Sequence, residues 1–96
     1  MKVRYTPAAF AEREAIFDYV HQRSPQAARD VVALIGRRIA ELGEQPMKGH
    51  RTDRPGIHTL WIARIKYRVF YRIDGDEVVI LHIRHTSRRI WTGGVR

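Results

Sequence analysis

Arg68 and Arg72 bracket Phe70 in a stretch that alternates polar and apolar residues, Tyr67-Arg68-Val69-Phe70-Tyr71-Arg72-Ile73. At a period of two, Arg68, Phe70 and Arg72 share one face of a strand. Guanidinium groups beside an aromatic ring can grip phosphates and stack bases. Phe70 has a second reading, as a core side chain, and it is the favoured one because large aromatics contribute heavily to small cores. Farther on, Arg84, Arg88 and Arg89 flank His85. An imidazole among guanidiniums could move protons while the arginines stabilise negative charge on phosphate. The plainer reading, a basic tail with a hydrogen-bonding histidine, is preferred, because no motif singles the cluster out as catalytic. Trp91 lies among Arg88, Arg89 and Arg96. It either packs back onto the sheet or anchors an interface, where Trp and Arg are enriched.

Other chemistries find less support. The chain has no Cys, which removes thiolate catalysis, disulfides and cysteine-based zinc sites. His21, His50, His58 and His82 are scattered without ligand spacing, so no metal and no cofactor are expected. No glycine-rich phosphate loop occurs, and Ser87 has no acid–base relay around it. The formal charge of +8 is uneven: residues 1–47 carry a net +1, residues 48–72 a net +6, and residues 78–96 four arginines and no acid. Such a field attracts phosphate backbones or acidic protein segments.

The elements that must position these residues follow from local patterns. Ninety-six residues point to one domain, 1–96, with a modest core. No apolar run approaches the ~20 residues of a membrane span, and no secretory leader is evident, so a cytoplasmic protein with no membrane association is expected. Lys2-Val3-Arg4-Tyr5 alternates like a strand. Thr6-Pro7 and Ser24-Pro25 are helix starts, predicting helices over 7–22 and from 25 to about Gly43. Phe10, Ile16, Phe17 and Val20 mark the inner face of the first. Ala28, Val31, Val32, Ile35, Ile39 and Leu42 mark that of the second. Residues 45–56 read as a loop, 57–65 as a strand, and 67–73 and 77–85 as a hairpin around Asp74-Gly75-Asp76. The order β-α-α-β-β-β predicts an α+β fold, with a helical hairpin on one face of a mainly antiparallel sheet. Trp61 is expected in the core or at a sheet edge.

Four segments together resemble the ParE/RelE superfamily of toxins from type II toxin–antitoxin systems: VRYTPAA, YVHQRSPQAARDVVALIGRRIAELGEQP, YRVFYRIDGDEVVILHI and the close RHTSRR. The Ser-Pro-Gln-Ala-Ala helix entry and the His-x-x-Arg-Arg ending are more similar to the ParE branch. The resemblance implies a small cytoplasmic toxin, held inactive in a hetero-oligomer by a cognate antitoxin whose C-terminal segment wraps it. ParE-like members poison DNA gyrase without catalysis; RelE-like members cleave mRNA on the ribosome. Arg68 matches the arginine that would hold the scissile phosphate in the RelE-type motif. The preceding strand departs from that pattern, since Leu60-Trp61-Ile62-Ala63-Arg64 offers one arginine where a lysine pair is expected. Trp91 replaces a terminal tyrosine and cannot donate a phenolic proton. His85 falls one residue out of register with a catalytic histidine. The resemblance thus implies a gyrase inhibitor without catalytic residues. Arg64, Arg68, Arg72, Arg84, Arg88, Arg89 and Trp91 would bind target or antitoxin. Two alternatives stand beside it: a ribosome-dependent ribonuclease using Arg68, His85 and Arg88, and a non-toxic relic that still binds antitoxin.

Overall fold

The computed structural model describes residues 1–86. In it two helices cover one face of a five-stranded sheet. The elements are β1 (Lys2–Tyr5), α1 (Pro7–His21), α2 (Pro25–Glu44), β2 (His50–Arg51), β3 (His58–Ile62), β4 (Tyr67–Asp74) and β5 (Glu77–His85), and the sheet order is β1-β5-β4-β3-β2. Pairing is antiparallel throughout except that β1 runs parallel to β5. The expected α+β architecture is present, with two additions: the sheet is mixed, and the 45–56 loop contributes a two-residue strand at the edge. No helix among the described residues is long and apolar enough to cross a membrane.

Both helices begin where their local chemistry requires. Thr6 Oγ1 accepts the Ala9 N–H at 3.2 Å, Ser24 Oγ accepts the Ala27 N–H at 3.1 Å, and a proline follows each cap. These bonds satisfy amide groups that have no partner within the helix. α2 runs one residue past Gly43, whose carbonyl receives the Met1 nitrogen at 2.7 Å.

The core lies between the helices and one sheet face. Ile16 from α1 and Ile35, Ile39 and Leu42 from α2 meet Leu60, Ile62, Tyr67, Val69, Tyr71, Val78, Ile80 and Ile83. Each fully buried aliphatic side chain stabilises the fold by about 1.5–3 kcal/mol. Two expected core residues are elsewhere. Phe10 is 50% exposed, because α1 turns Ala9 and Ile16 inward instead. Phe70 is only half-buried, on the sheet face away from the helices, because β4 alternates and its inner positions go to Tyr67, Val69 and Tyr71.

Tyr71 also fastens the loop before β2. Its buried hydroxyl donates to the Pro46 carbonyl at 2.7 Å and accepts the Gly49 N–H at 3.1 Å. Burial pushes the phenol above its ordinary value of 10.0. The folded state therefore keeps a proton that the unfolded chain begins to release near pH 10, so stability is full below that pH and falls as pH rises above it. Tyr71→Phe is expected to abolish this alkaline component while costing about 1–2 kcal/mol at neutral pH, through the two groups left unbonded. Urea denaturation at pH 7 and at pH 10.5 or above, as roughly placed by the tyrosine range, checks both signs.

Candidate functional site

The sheet face opposite the helices is built by three strands in register. Trp61, Arg68 and Arg84 form one cross-strand row, and Thr59, Phe70 and His82 form the next. Arg72 follows beside Val79, which pairs with Arg4 of β1. A bulge decides this arrangement. The β4–β5 pairing steps from Tyr71↔Ile80 to Phe70↔His82, leaving Leu81 as the extra residue. One added residue inverts the parity of everything after it. His82 and Arg84 therefore reach the open face, while Ile83 and His85 turn toward the helices. Thr6 holds the bulge, its hydroxyl donating to the Ile80 and Leu81 carbonyls at 2.9 and 3.3 Å.

β1 ends at Tyr5, opposite Ile80, so β5 continues beyond it with an open edge. Glu12 of α1 fills that gap. Its carboxylate accepts the Ile83 N–H at 2.7 Å, lies 3.1 Å from His82 Nδ1 and 3.9 Å from Arg84 Nε, and is only 14% exposed. Arg84 Nη2 approaches His82 Nδ1 at 3.3 Å. The carboxylate replaces the carbonyl a neighbouring strand would have supplied and draws Arg84 to one side. Glu12→Ala is expected to cost about 1.5–3 kcal/mol, because it removes a charge-assisted bond and strands an amide. Glu12→Gln, which keeps an acceptor, should cost less. Denaturant midpoints distinguish the two variants.

The arginines differ in their surroundings. Arg4 pairs with Glu77 at 3.2 Å and Arg72 with Asp74 at 3.7 Å. Arg68 lies over the Trp61 ring at 5.1 Å, and that indole is 40% exposed. Among the described residues Arg68 has no carboxylate within ion-pair distance. Lys48, part of the basic central segment, meets Glu41 at 2.7 Å, and its ammonium holds that carboxyl below the usual carboxylate range, with help from Arg38. A hollow of about 450 Å³ opens beside the face, lined by Ile57, Phe70 and Leu81 with Arg54, His82 and Arg84.

The expected site residues thus separate into groups. Arg68, Arg72 and Arg84 share the open face. Arg64 does not: it sits in the β3–β4 turn and borders a groove with Asp30, Leu34 and Arg37 of α2. His85 places its ring edge-on to Tyr67 at 5.0 Å, on the helix side of the sheet, away from Arg68. Arg88, Arg89 and Trp91 lie outside the described residues. Two contributors escaped the sequence reading. Trp61 proves to be an exposed support for Arg68, a role signalled only by its alternation with Leu60 and Ile62. Glu12 meets β5 across seventy-one positions of chain, and nothing in the sequence signals that contact.

Comparison with known proteins gives this face a context. Residues 3–90 match the model of the ParE toxin of type II toxin–antitoxin systems, parDE. Y4kP of Sinorhizobium fredii, a protein named as a toxin, is 33% identical over 88 residues, which are 92% of this chain and 91% of that one. The chromosomal ParDE toxin–antitoxin system of P. aeruginosa contains a chain that superposes with a TM-score of 0.79 at 30% identity, covering 88% of this chain and 95% of that one. A chain of the toxin–antitoxin complex RelBE2 from Mycobacterium tuberculosis follows at 0.64 and 26%, with the same coverage of both chains. The isolated RelE toxin of E. coli shares the fold, at a TM-score of 0.63 and 12% identity over 98% of this chain and 94% of that one. From the near-complete family match and the shared architecture, the chain belongs to the ParE toxin family of type II toxin–antitoxin systems.

Proposed function

We propose that this toxin acts without catalysis, inhibiting DNA gyrase by protein–protein contact through the open sheet face, and that a cognate antitoxin neutralises it in a hetero-oligomeric complex. The observation that carries this reading is the division of the ribonuclease candidates by the sheet itself. Arg68 and His85 belong to adjacent cross-strand pairs, Arg68↔Arg84 and Tyr67↔His85, and adjacent pairs point to opposite faces. An acid–base group on one face cannot reach a phosphate held on the other, because proton transfer needs hydrogen-bond contact. The open face instead presents an arginine over a partly exposed tryptophan, the residue types that anchor protein interfaces, near a hollow that mixes Ile57, Phe70 and Leu81 with charged side chains. The antitoxin reading is supported by the relatives, two of which belong to ParDE and RelBE2 toxin–antitoxin systems.

Purified protein incubated with gyrase and relaxed plasmid should block supercoiling and accumulate cleaved DNA. Gyrase left fully active at stoichiometric excess would remove this reading. New in-frame transcript ends after induction in cells would favour the ribosome-dependent ribonuclease instead.

A further inference from the structure

Between Asp53 and Asp74 the chain runs through Arg54, Arg64, Lys66, Arg68 and Arg72 without one carboxylate. β3 and β4 fold this stretch into a hairpin in which Ile62 pairs with Tyr67, so its tip is Ala63-Arg64-Ile65-Lys66. Backbone bonds close the tip. The Lys66 N–H donates to the Ile62 carbonyl at 2.9 Å, and the Lys66 carbonyl accepts the Thr86 N–H at 2.9 Å. This closure sets Lys66 at φ +62, and among the described residues it is the one residue other than glycine with a positive φ. Glycine or asparagine takes such a position with little strain, whereas a lysine is held there at a cost. Strain of this kind gathers at binding sites, and the side chain presented here is a cation.

Arg64 and Lys66 are both exposed, and neither has a carboxylate within ion-pair distance among the described residues. Arg37 of α2 lines the same groove as Arg64, with Asp30 as the carboxylate among its lining residues. The tip lacks the large apolar anchor that protein interfaces use, because Ile65 packs against the core. It also lacks a stacking platform for unpaired bases, since the exposed ring beside it, Trp61, already lies under Arg68. Cations without apolar or aromatic company suit the phosphates of a duplex, which are bound by charge and position and carry no sequence information. We propose that the β3–β4 turn is a contact for duplex DNA, in which Lys66 and Arg64 each neutralise a backbone phosphate and no base is read. This surface goes beyond the open face assigned above and does not depend on gyrase being the target.

Fluorescence anisotropy of a labelled, mixed-sequence DNA duplex, titrated with the whole chain across roughly 50 to 200 mM salt, tests the contact. Wild type should bind with an affinity that falls as salt rises. Lys66→Gly removes the cation and the strain together. Its slope of log affinity against log salt should be smaller by about one, and its affinity at low salt about three- to tenfold weaker. Its melting temperature should nonetheless rise by about 2–5 °C. Arg64→Gln should lose the same slope with no gain in melting temperature. Lys66→Arg, which keeps both the charge and the backbone demand, should bind and melt like wild type. Lys2→Gln is the control, because Lys2 lies opposite Glu77 on the outermost strand, at the far end of the sheet from this turn, and its loss should leave binding unchanged. The proposal would be overturned by absence of binding in wild type, by equal losses in Lys2→Gln and Lys66→Gly, by preference for single-stranded oligothymidylate over the duplex, or by a Lys66→Gly protein that melts below wild type.

Discussion

Gly49→Ala is expected to destabilise the protein by about 2–4 kcal/mol, combining an overpacking cost with the loss of a buried hydrogen bond. In a domain of this size the melting temperature should fall by roughly 10–25 °C. A Cβ at position 49 would lie 2.5 Å from the Thr59 carbonyl oxygen and 2.6 Å from the Tyr71 hydroxyl. Neither can yield easily, since one is backbone of β3 and the other belongs to a side chain with no exposed surface. The loop must lift, and the Gly49 N–H then loses the Tyr71 hydroxyl it donates to at 3.1 Å. Gly36→Ala supplies the control. Its Cβ would meet nothing within 4 Å, inside α2, and alanine there should stabilise by about 0.5–1 kcal/mol through helix propensity. Thermal melts of the two variants should move in opposite directions.

Arg68→Glu is expected to separate function from stability. Among the described residues Arg68 has no carboxylate within ion-pair distance, and reversing its charge places a like charge against any acidic partner surface, a mismatch worth roughly several kcal/mol. The dose needed to inhibit gyrase should rise by about 100-fold or more. The fold should be nearly unaffected. A glutamate directly across from Arg84 exchanges a repulsive pair for an attractive one, worth about 0.2–1 kcal/mol, and offsets a similar loss from the stack on Trp61. Denaturant midpoints near or slightly above wild type, alongside lost inhibition, are the expected pattern. A parallel fall in both would mean that Arg68 holds the sheet together and does not serve an interface.

What the chain sequence reveals depends on how far each cause reaches. Thr6-Pro7 and Ser24-Pro25 start the helices through bonds three residues long, and the 67–73 alternation marks its own faces, so both were legible. Gly75 sits at φ +63 in the turn between β4 and β5, as its neighbours signalled. The burial of Phe10 is not legible locally, because α1 has apolar side chains on more than one side and only contact with α2 and β5 decides which are buried. β2 is two residues long and exists only because β3 lies beside it. The candidate site was hardest to read. The arginines were visible as residue types, but the bulge at Leu81 sets which of His82, Arg84 and His85 share a face with Arg68. That bulge is held by Thr6, more than seventy residues earlier, a dependence no local pattern carries. The apolar run 57–65 groups Arg64 with the strand arginines, whereas β3 stops at Ile62 and Arg64 turns away with the connection.

The most direct test of a non-catalytic toxin acting through its open face is a gyrase supercoiling titration comparing wild type, Arg68→Glu and His85→Phe. The phenylalanine keeps a ring against Tyr67 and removes acid–base chemistry. Wild type and His85→Phe should inhibit at the same dose, while Arg68→Glu should need about 100-fold more. Full potency in Arg68→Glu, or inactivity confined to His85→Phe, would contradict the account.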